Sequence, residues 1–232
     1  MVAVATRDEL RSLAERAGAE LADASALEVL TWADEQFGSG WCVTSSMADA
    51  VVPHLASRVR PGVDVLFLDT GYHFAETIGT RDAVAATMPV TLRTITPKRT
   101  VAEQDASFGP RLYERNPDQC CALRKVMPLR EALRPYVAWA SGLRRDEVQT
   151  RVEAGVVEWD ARRSMVKVNP IAAWTQDDVG AYLAENGVLV NPLLFDGYGS
   201  VGCAPCTRRI AHGEDARAGR WAGTAKTECG LH

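Results

Sequence analysis

Trp41-Cys42-Val43-Thr44 is followed by Ser45-Ser46-Met47-Ala48-Asp49-Ala50, and Val63-Asp64-Val65-Leu66-Phe67-Leu68 by Asp69-Thr70-Gly71-Tyr72. Each begins as an apolar run of strand length and ends in small polar residues. Residues 47–60 between them read as a helix that Pro53 is expected to disturb. Strand, helix and buried strand make a βαβ unit, with parallel strands and a right-handed crossover. The alternation continues outward. Residues 73–87 read as a helix, 90–95 as a strand, and Thr100-x-x-Glu103 opens a short helix. Residues 121–133 read as a helix that Pro128 should kink or break, 136–141 and 165–168 as strands, and 175–186 as a helix closed by Gly187. Upstream, Thr6-x-x-Glu9 and Ser25-x-x-Glu28 fit capping boxes ahead of apolar residues at helical spacing. The expected fold is α/β, a mostly parallel sheet flanked by helices. One domain is expected over residues 1–232, with N-terminal helices to about residue 40 and a glycine-rich, mobile C-terminal segment over about 207–232.

With 47% hydrophobic residues, 232 residues suffice for one sizeable core. No apolar run approaches the ~20 residues of a membrane-spanning helix. Residues 1–10 include Arg7, Asp8 and Glu9 and no signal-like apolar region, so a cytoplasmic protein is expected. A net charge of −4 argues against a nucleic-acid coat. A small anionic ligand would need a local basic patch. Arg144, Arg145 and Arg151 form one candidate group, and Arg208, Arg209, Arg217 and Arg220 another; singly, each also reads as a solvated surface charge.

The two strand-end loops fit a ligand site. Ser45 and Ser46 offer hydroxyls and free amides where a helix begins, which suits an anion, although an ordinary serine cap explains them equally. No G-x-x-x-x-G-K-[ST] loop occurs. Asp69, Thr70 and Gly71 close the second strand at its carboxyl end, where open α/β sheets bind ligands; alone they also read as a plain turn.

Six cysteines carry the sharper signal. Cys120 and Cys121 are adjacent, and Cys203-x-x-Cys206 begins 82 residues beyond Cys121. Two pairs can supply four thiolates to one centre. Neighbouring side chains diverge, which suits the separate corners of a [4Fe–4S] cube better than one tetrahedral zinc ion. The alternatives are a redox pair at Cys203 and Cys206 and buried apolar thiols at Cys120 and Cys121. Cys42, between Trp41 and Val43, reads as core. Cys229 lies in a polar tail, Glu228-Cys229-Gly230-Leu231-His232, and fits a mobile nucleophile that a second partner can reach, or an idle thiol. His232, Lys226 or site arginines could lower its pKa; the sequence does not choose among them.

Taken together, Leu68-Asp-Thr-Gly-Tyr72, Cys120-Cys-Ala-Leu-Arg-Lys-Val126, Gly142-Leu-Arg-Arg-Asp146, Cys203-Ala-Pro-Cys206, Arg217-Ala-Gly-Arg-Trp221 and Glu228-Cys-Gly-Leu-His232 span most of residues 40–232. In these segments the chain resembles the bacterial iron–sulfur adenylyl-sulfate (APS) reductases of the PAPS reductase family, which have the adenine-nucleotide α-hydrolase-like (PP-loop) fold. The resemblance implies a [4Fe–4S] cluster on Cys120, Cys121, Cys203 and Cys206, with Lys125 linking cluster and substrate. It implies a nucleotide site at Ser45, Ser46, Asp49, Asp69, Thr70 and Gly71. Arg151, Arg217 and Arg220 would surround the phosphosulfate, with Arg144 and Arg145 nearby. Cys229 would be the nucleophile. The implied reaction is reduction of adenosine 5′-phosphosulfate to sulfite and AMP through an S-sulfocysteine, in sulfate assimilation and cysteine biosynthesis. Thioredoxin or a similar dithiol protein would be the separate reductant. The Ser45–Ser46 loop lacks the S-G-G-x-D-S pattern of ATP-cleaving relatives, which argues against adenylation chemistry.

Two other readings remain. Reductases of 3′-phosphoadenylyl sulfate (PAPS) share the fold and the terminal cysteine but typically lack the four cluster cysteines. A metal-bound binding module would explain the cysteine pairs but leave Cys229 and the arginines idle. The oligomeric state, including a homo-oligomer, is open.

Overall fold

The computed structural model describes residues 6–224 and 226–231. Two capped helices come first, α1 (Arg7–Glu20) and α2 (Ala26–Phe37); both capping boxes form, on Thr6 with Glu9 and on Ser25 with Glu28. Then follow β1 (Trp41–Ser45), α3 (Val51–Val59), β2 (Val63–Leu68), α4 (Ala75–Thr87), β3 (Val90–Ile95) and α5 (Val101–Phe108). Two short helices, α6 (Leu112–Arg115) and α7 (Pro117–Cys121), lead through a π-helical turn, Ala122–Val126, into α8 (Met127–Ala132). The remainder holds β4 (Ala138–Ser141), β5 (Val157–Asp160), β6 (Met165–Val168) and α9 (Gln176–Asn186).

The six strands form one sheet in the order β3-β2-β1-β4-β6-β5, parallel except for β5, which runs antiparallel to β6. Side chains alternate between its faces. On one face Val43, Val65, Phe67, Ala140 and Val168 join buried residues of α1, α2, α3 and α9 in the larger core. On the other, Cys42, Leu66 and Trp139 pack with Leu129 and Leu133. Cys42 is fully buried, and burial pushes its thiol well above the usual range, so the expected core role holds.

Three sequence expectations shift. Residues 47–60 do not form one helix. Met47 takes a left-handed backbone (φ 59°) and α3 starts only at Val51, leaving residues 46–50 as a loop. Pro53 then falls in the first turn, where its missing N–H costs nothing. Residues 121–133 are not a single α-helix broken at Pro128; the register changes through the π-helical turn just before it, where an extra residue is accommodated. Strand β5 was not expected, because Val157-Glu158-Trp159-Asp160 reads as a charged edge.

The strand order reverses between the parallel neighbours β1 and β4, the switch point whose carboxyl-end crevice binds ligands in open α/β sheets, here flanked by the end of β2. Among the described residues no helix is long and apolar enough to cross a membrane.

Candidate active site

The loop after β1 is pinned by backbone. Ala50 N–H donates to Leu189 O at 3.0 Å and Asn191 N–H to Ala48 O at 3.0 Å; the buried Asn191 amide also donates to Met47 O, 3.0 Å. Ser45 Oγ accepts from the Met47 amide at 3.2 Å, and Ser46 is exposed. Neither serine caps α3, so the ordinary-cap explanation fails. Asp49 accepts from the Val51 amide at 3.0 Å. Burial pushes its carboxyl up, while that amide and the nearby Arg144 pull it down. Arg144 reaches the same crevice from the end of β4, held by Asp146 (3.0 Å) and Gln176 (2.8 Å). Arg145 instead donates to Ala154 O at 2.8 Å and pins its own loop.

The loop after β2 connects this crevice to the cysteines. Asp69 accepts from the Gly71 amide at 3.0 Å, and Thr70 Oγ1 lies 3.2 Å from Cys203 Sγ. Gly71 has φ 73°, and a Cβ there would press on the Arg124 guanidinium at 3.1 Å. Arg124 is the residue the sequence reading passed over. It is buried and donates to Thr70 O, to Gln104 Oε1 (3.1 Å) and to Arg99 O (3.3 Å), with Tyr72 stacked on it at 5.3 Å. It therefore ties the loop after β2 to the Cys120–Cys121 helix. In the sequence it looks like any arginine beside a lysine.

Cys120, Cys121, Cys203 and Cys206 line one small cavity with Tyr72, Tyr113, Arg124 and Lys125. All four are free thiols. Burial and then the neighbouring cysteines push Cys120 up to about 12; burial and then Cys203 push Cys206 to about 11. Burial alone would lower the Lys125 ammonium, but Cys203, Cys229 and Cys121 together raise it. Lys125 thus faces both the cysteine cavity and the tail.

The tail is seated against this wall. Glu228 is gripped by Arg151 through two bonds, Nε to Oε1 at 2.7 Å and Nη2 to Oε2 at 2.9 Å, and Arg217 adds a third at 3.4 Å. Arg151 is buried, and also pairs with Glu147. Burial would lower its pKa, but Glu228 and Glu147 raise it. Burial, then Arg217, hold Arg220 below the usual arginine value. Its Nη1 donates to Ser200 Oγ (3.3 Å) and Val201 O (3.1 Å), while its Nε is buried with no partner among the described residues. A Cβ on Gly202 would stand 2.2 Å from this guanidinium, so only glycine admits it. Lys226 pairs with Asp118 and lies over Trp221. His232 lies outside the described residues.

These positions give an anion-seeking ring of Lys125, Arg151, Arg217 and Arg220 around the segment that carries Cys229. The phosphoadenosine phosphosulfate reductase domain family matches residues 41–209, from β1 past Cys206. The chain belongs to this family. Relatives match it over nearly their whole length. It is 68% identical to an adenosine 5′-phosphosulfate reductase of Streptomyces coelicolor (98% of this chain, 96% of the relative). It is 59% identical to the enzyme of that name from Mycolicibacterium smegmatis (100% and 98%). Among solved structures, phosphoadenylyl-sulfate reductase of Candida auris superposes with TM-score 0.75 at 29% identity, covering 89% of this chain and 98% of that one. An FMN adenylyltransferase of Candida glabrata shares the fold at TM-score 0.57 and 12% identity, covering 91% and 76%. The expected reductase fold is therefore present. Within it the structure brings Asp69, Thr70 and Gly71 beside the cysteine cavity and Asp49 beside Arg144, and leaves Arg145 on a backbone carbonyl.

Proposed function

We propose that this chain reduces adenosine 5′-phosphosulfate to sulfite and AMP, with Cys229 as nucleophile and thioredoxin or a similar dithiol protein as reductant, in cytoplasmic sulfate assimilation and cysteine biosynthesis. The observation that carries this reading is the seat of the tail. A carboxylate next to Cys229 sits in paired guanidinium groups, while Lys125 and Arg220 are close enough for Cys229 to act on their charge. Paired guanidinium forks match the oxygens of a phosphosulfate better than single point charges would.

In the first half-reaction the Cys229 thiolate attacks the sulfuryl sulfur, an S–S bond forms, and the S–O bond to phosphate breaks, releasing AMP. Charge builds on the leaving phosphate oxygens, which Arg151, Arg217 and Arg220 are placed to stabilise. In the second, one thiol of the partner attacks Cys229 Sγ and sulfite leaves with the electron pair; the partner's second thiol then regenerates Cys229. The two electrons come from the dithiol, which becomes a disulfide. Ser45, Ser46, Asp49 and the Asp69–Gly71 turn would hold the nucleotide at the sheet crevice.

Cys120, Cys121, Cys203 and Cys206 fit a [4Fe–4S] cluster. The donor set is all thiol, and it rims a cavity rather than a point. When bound, the cluster would join the two cysteine segments and act on the substrate electrostatically, across Lys125. The PAPS reductase reading is favoured by the Candida auris neighbour. The four-cysteine cavity and the APS reductase relatives at 68% and 59% identity weigh against it. Turnover with APS and PAPS side by side, using reduced thioredoxin, tests the assignment. Sulfite from APS is expected; preference for PAPS would overturn the substrate, and no sulfite from either would overturn the reaction. A brown protein absorbing near ~400 nm is expected of the cluster, and a colourless active enzyme would contradict it.

A further inference from the structure

The tail is held on both sides of Cys229, by anchors of different kinds. On the amino side, Glu228 occupies Arg151 and Arg217, the groups that the reading above gives to the substrate. That contact and the phosphosulfate exclude each other, so Glu228 must release the arginines when substrate arrives. The carboxyl-side anchor has no such conflict. Arg163 Nη2 donates to Leu231 O at 2.9 Å, and the Leu231 side chain packs on the apolar cluster of Leu66, Leu129 and Trp139. Gly230, with φ 80°, makes the turn that allows both.

Arg163 is itself unusually well fixed. Its Nη1 donates to Asp160 Oδ2 at 2.7 Å and its amide to Asp160 Oδ1 at 3.1 Å; its guanidinium stands 5.1 Å from the Trp139 ring centroid. The side chains of this pair are only 7% and 6% exposed. Burying an ion pair costs desolvation that its own attraction need not recover. Here one edge of the fork satisfies Asp160 and the other is left pointing at the tail.

We propose that Arg163 is a positioning residue that keeps the end of the tail seated while Glu228 yields Arg151 and Arg217 to the substrate, so that Cys229 remains over the site during attack on sulfur. The role in the reaction rests on the APS reading; the anchor itself does not. The test uses the cluster-loaded enzyme with Arg163→Ala, and Leu231→Ala as a second variant that leaves the Asp160 pair intact. Three rates are measured: alkylation of Cys229 by iodoacetamide in the free enzyme, formation of S-sulfocysteine from APS in a single turnover, and release of sulfite from preformed S-sulfocysteine by reduced thioredoxin. Both variants should alkylate on the order of tenfold faster, as loss of a charge-assisted hydrogen bond or its apolar seat predicts. S-sulfocysteine formation should slow by a similar factor, and sulfite release should be unchanged. A merely structural role would slow both half-reactions together. Alkylation at the wild-type rate in folded Leu231→Ala enzyme would overturn the proposal, whether or not APS is the substrate. Absence of sulfite from APS with the wild type would instead count against the functional reading alone.

Discussion

The loop after β1 and the tail carrying Cys229 meet the same site, but different forces hold them. The loop at residues 46–50 is fixed by backbone hydrogen bonds to residues 189–191 and by the buried Asn191, over a sheet whose core is apolar. The tail from Thr227 to Leu231 is fixed mainly by guanidinium groups, Arg151 and Arg217 on one side of Cys229 and Arg163 on the other. Backbone pairing over a packed core is insensitive to small anions. Arginine contacts are not, because a phosphosulfate offers the same oxygens that Glu228 does. A rigid platform and an exchangeable arm follow from that contrast.

The contrast breaks most visibly at the arginines. Arg151→Ala should lower kcat/KM for APS by about 10²–10³-fold, the usual cost of removing one donor to developing charge, with a smaller loss of thermal stability than any core truncation. A drop in stability with kcat/KM intact would reverse the assignment. Leu30→Ala, in α2 on the other face of the sheet and away from the tail, should do the opposite. It should cost about 2–5 kcal/mol by urea unfolding, with kcat/KM per folded molecule changed little.

The platform was largely legible in the sequence, and the arm much less so. Apolar runs at 41–44, 63–68 and 90–95 announced the parallel strands because buried strands need them, and the helix starts read at Thr6, Ser25 and Thr100 all form as capping boxes. Strand β5 escaped because an edge strand tolerates Glu158 and Asp160. The start of α3 was misplaced because Met47 adopts a left-handed backbone that its side chain does not advertise. The four cysteines that line one cavity showed themselves by spacing. Arg124 and Arg163 did not, since each acts through a backbone carbonyl distant in sequence, Thr70 O and Leu231 O. Nothing in local composition encodes such a pairing.

Ionic strength sharpens the comparison further. Raising salt from about 0.05 M to 0.5 M, where screening shortens the reach of charges, should speed alkylation of Cys229 several-fold. The urea midpoint of the sheet should move little. Equal sensitivity of both would mean the tail is not held by charge. The smallest effect concerns His73, which bonds to Leu68 O at 2.8 Å beneath the platform. Burial holds its imidazole below the ordinary value of 6.5, despite that bond and Asp69 acting the other way. The unfolded chain therefore takes up the proton first as pH falls. Stability should be complete above pH 6.5 and decline as the pH drops through the lower folded value. His73→Gln should flatten that part of the urea-midpoint profile, and an unchanged profile would contradict it.

The nucleophile is tested most directly by mixing cluster-loaded enzyme with APS in the absence of any reductant and locating the product by peptide mass. The expected result is a gain of one SO₃ group on the Cys229 peptide, stoichiometric with AMP released and absent in Cys229→Ser. AMP and sulfite formed without that adduct, or the adduct on any of the other five cysteines, would contradict delivery of the nucleophile by the tail.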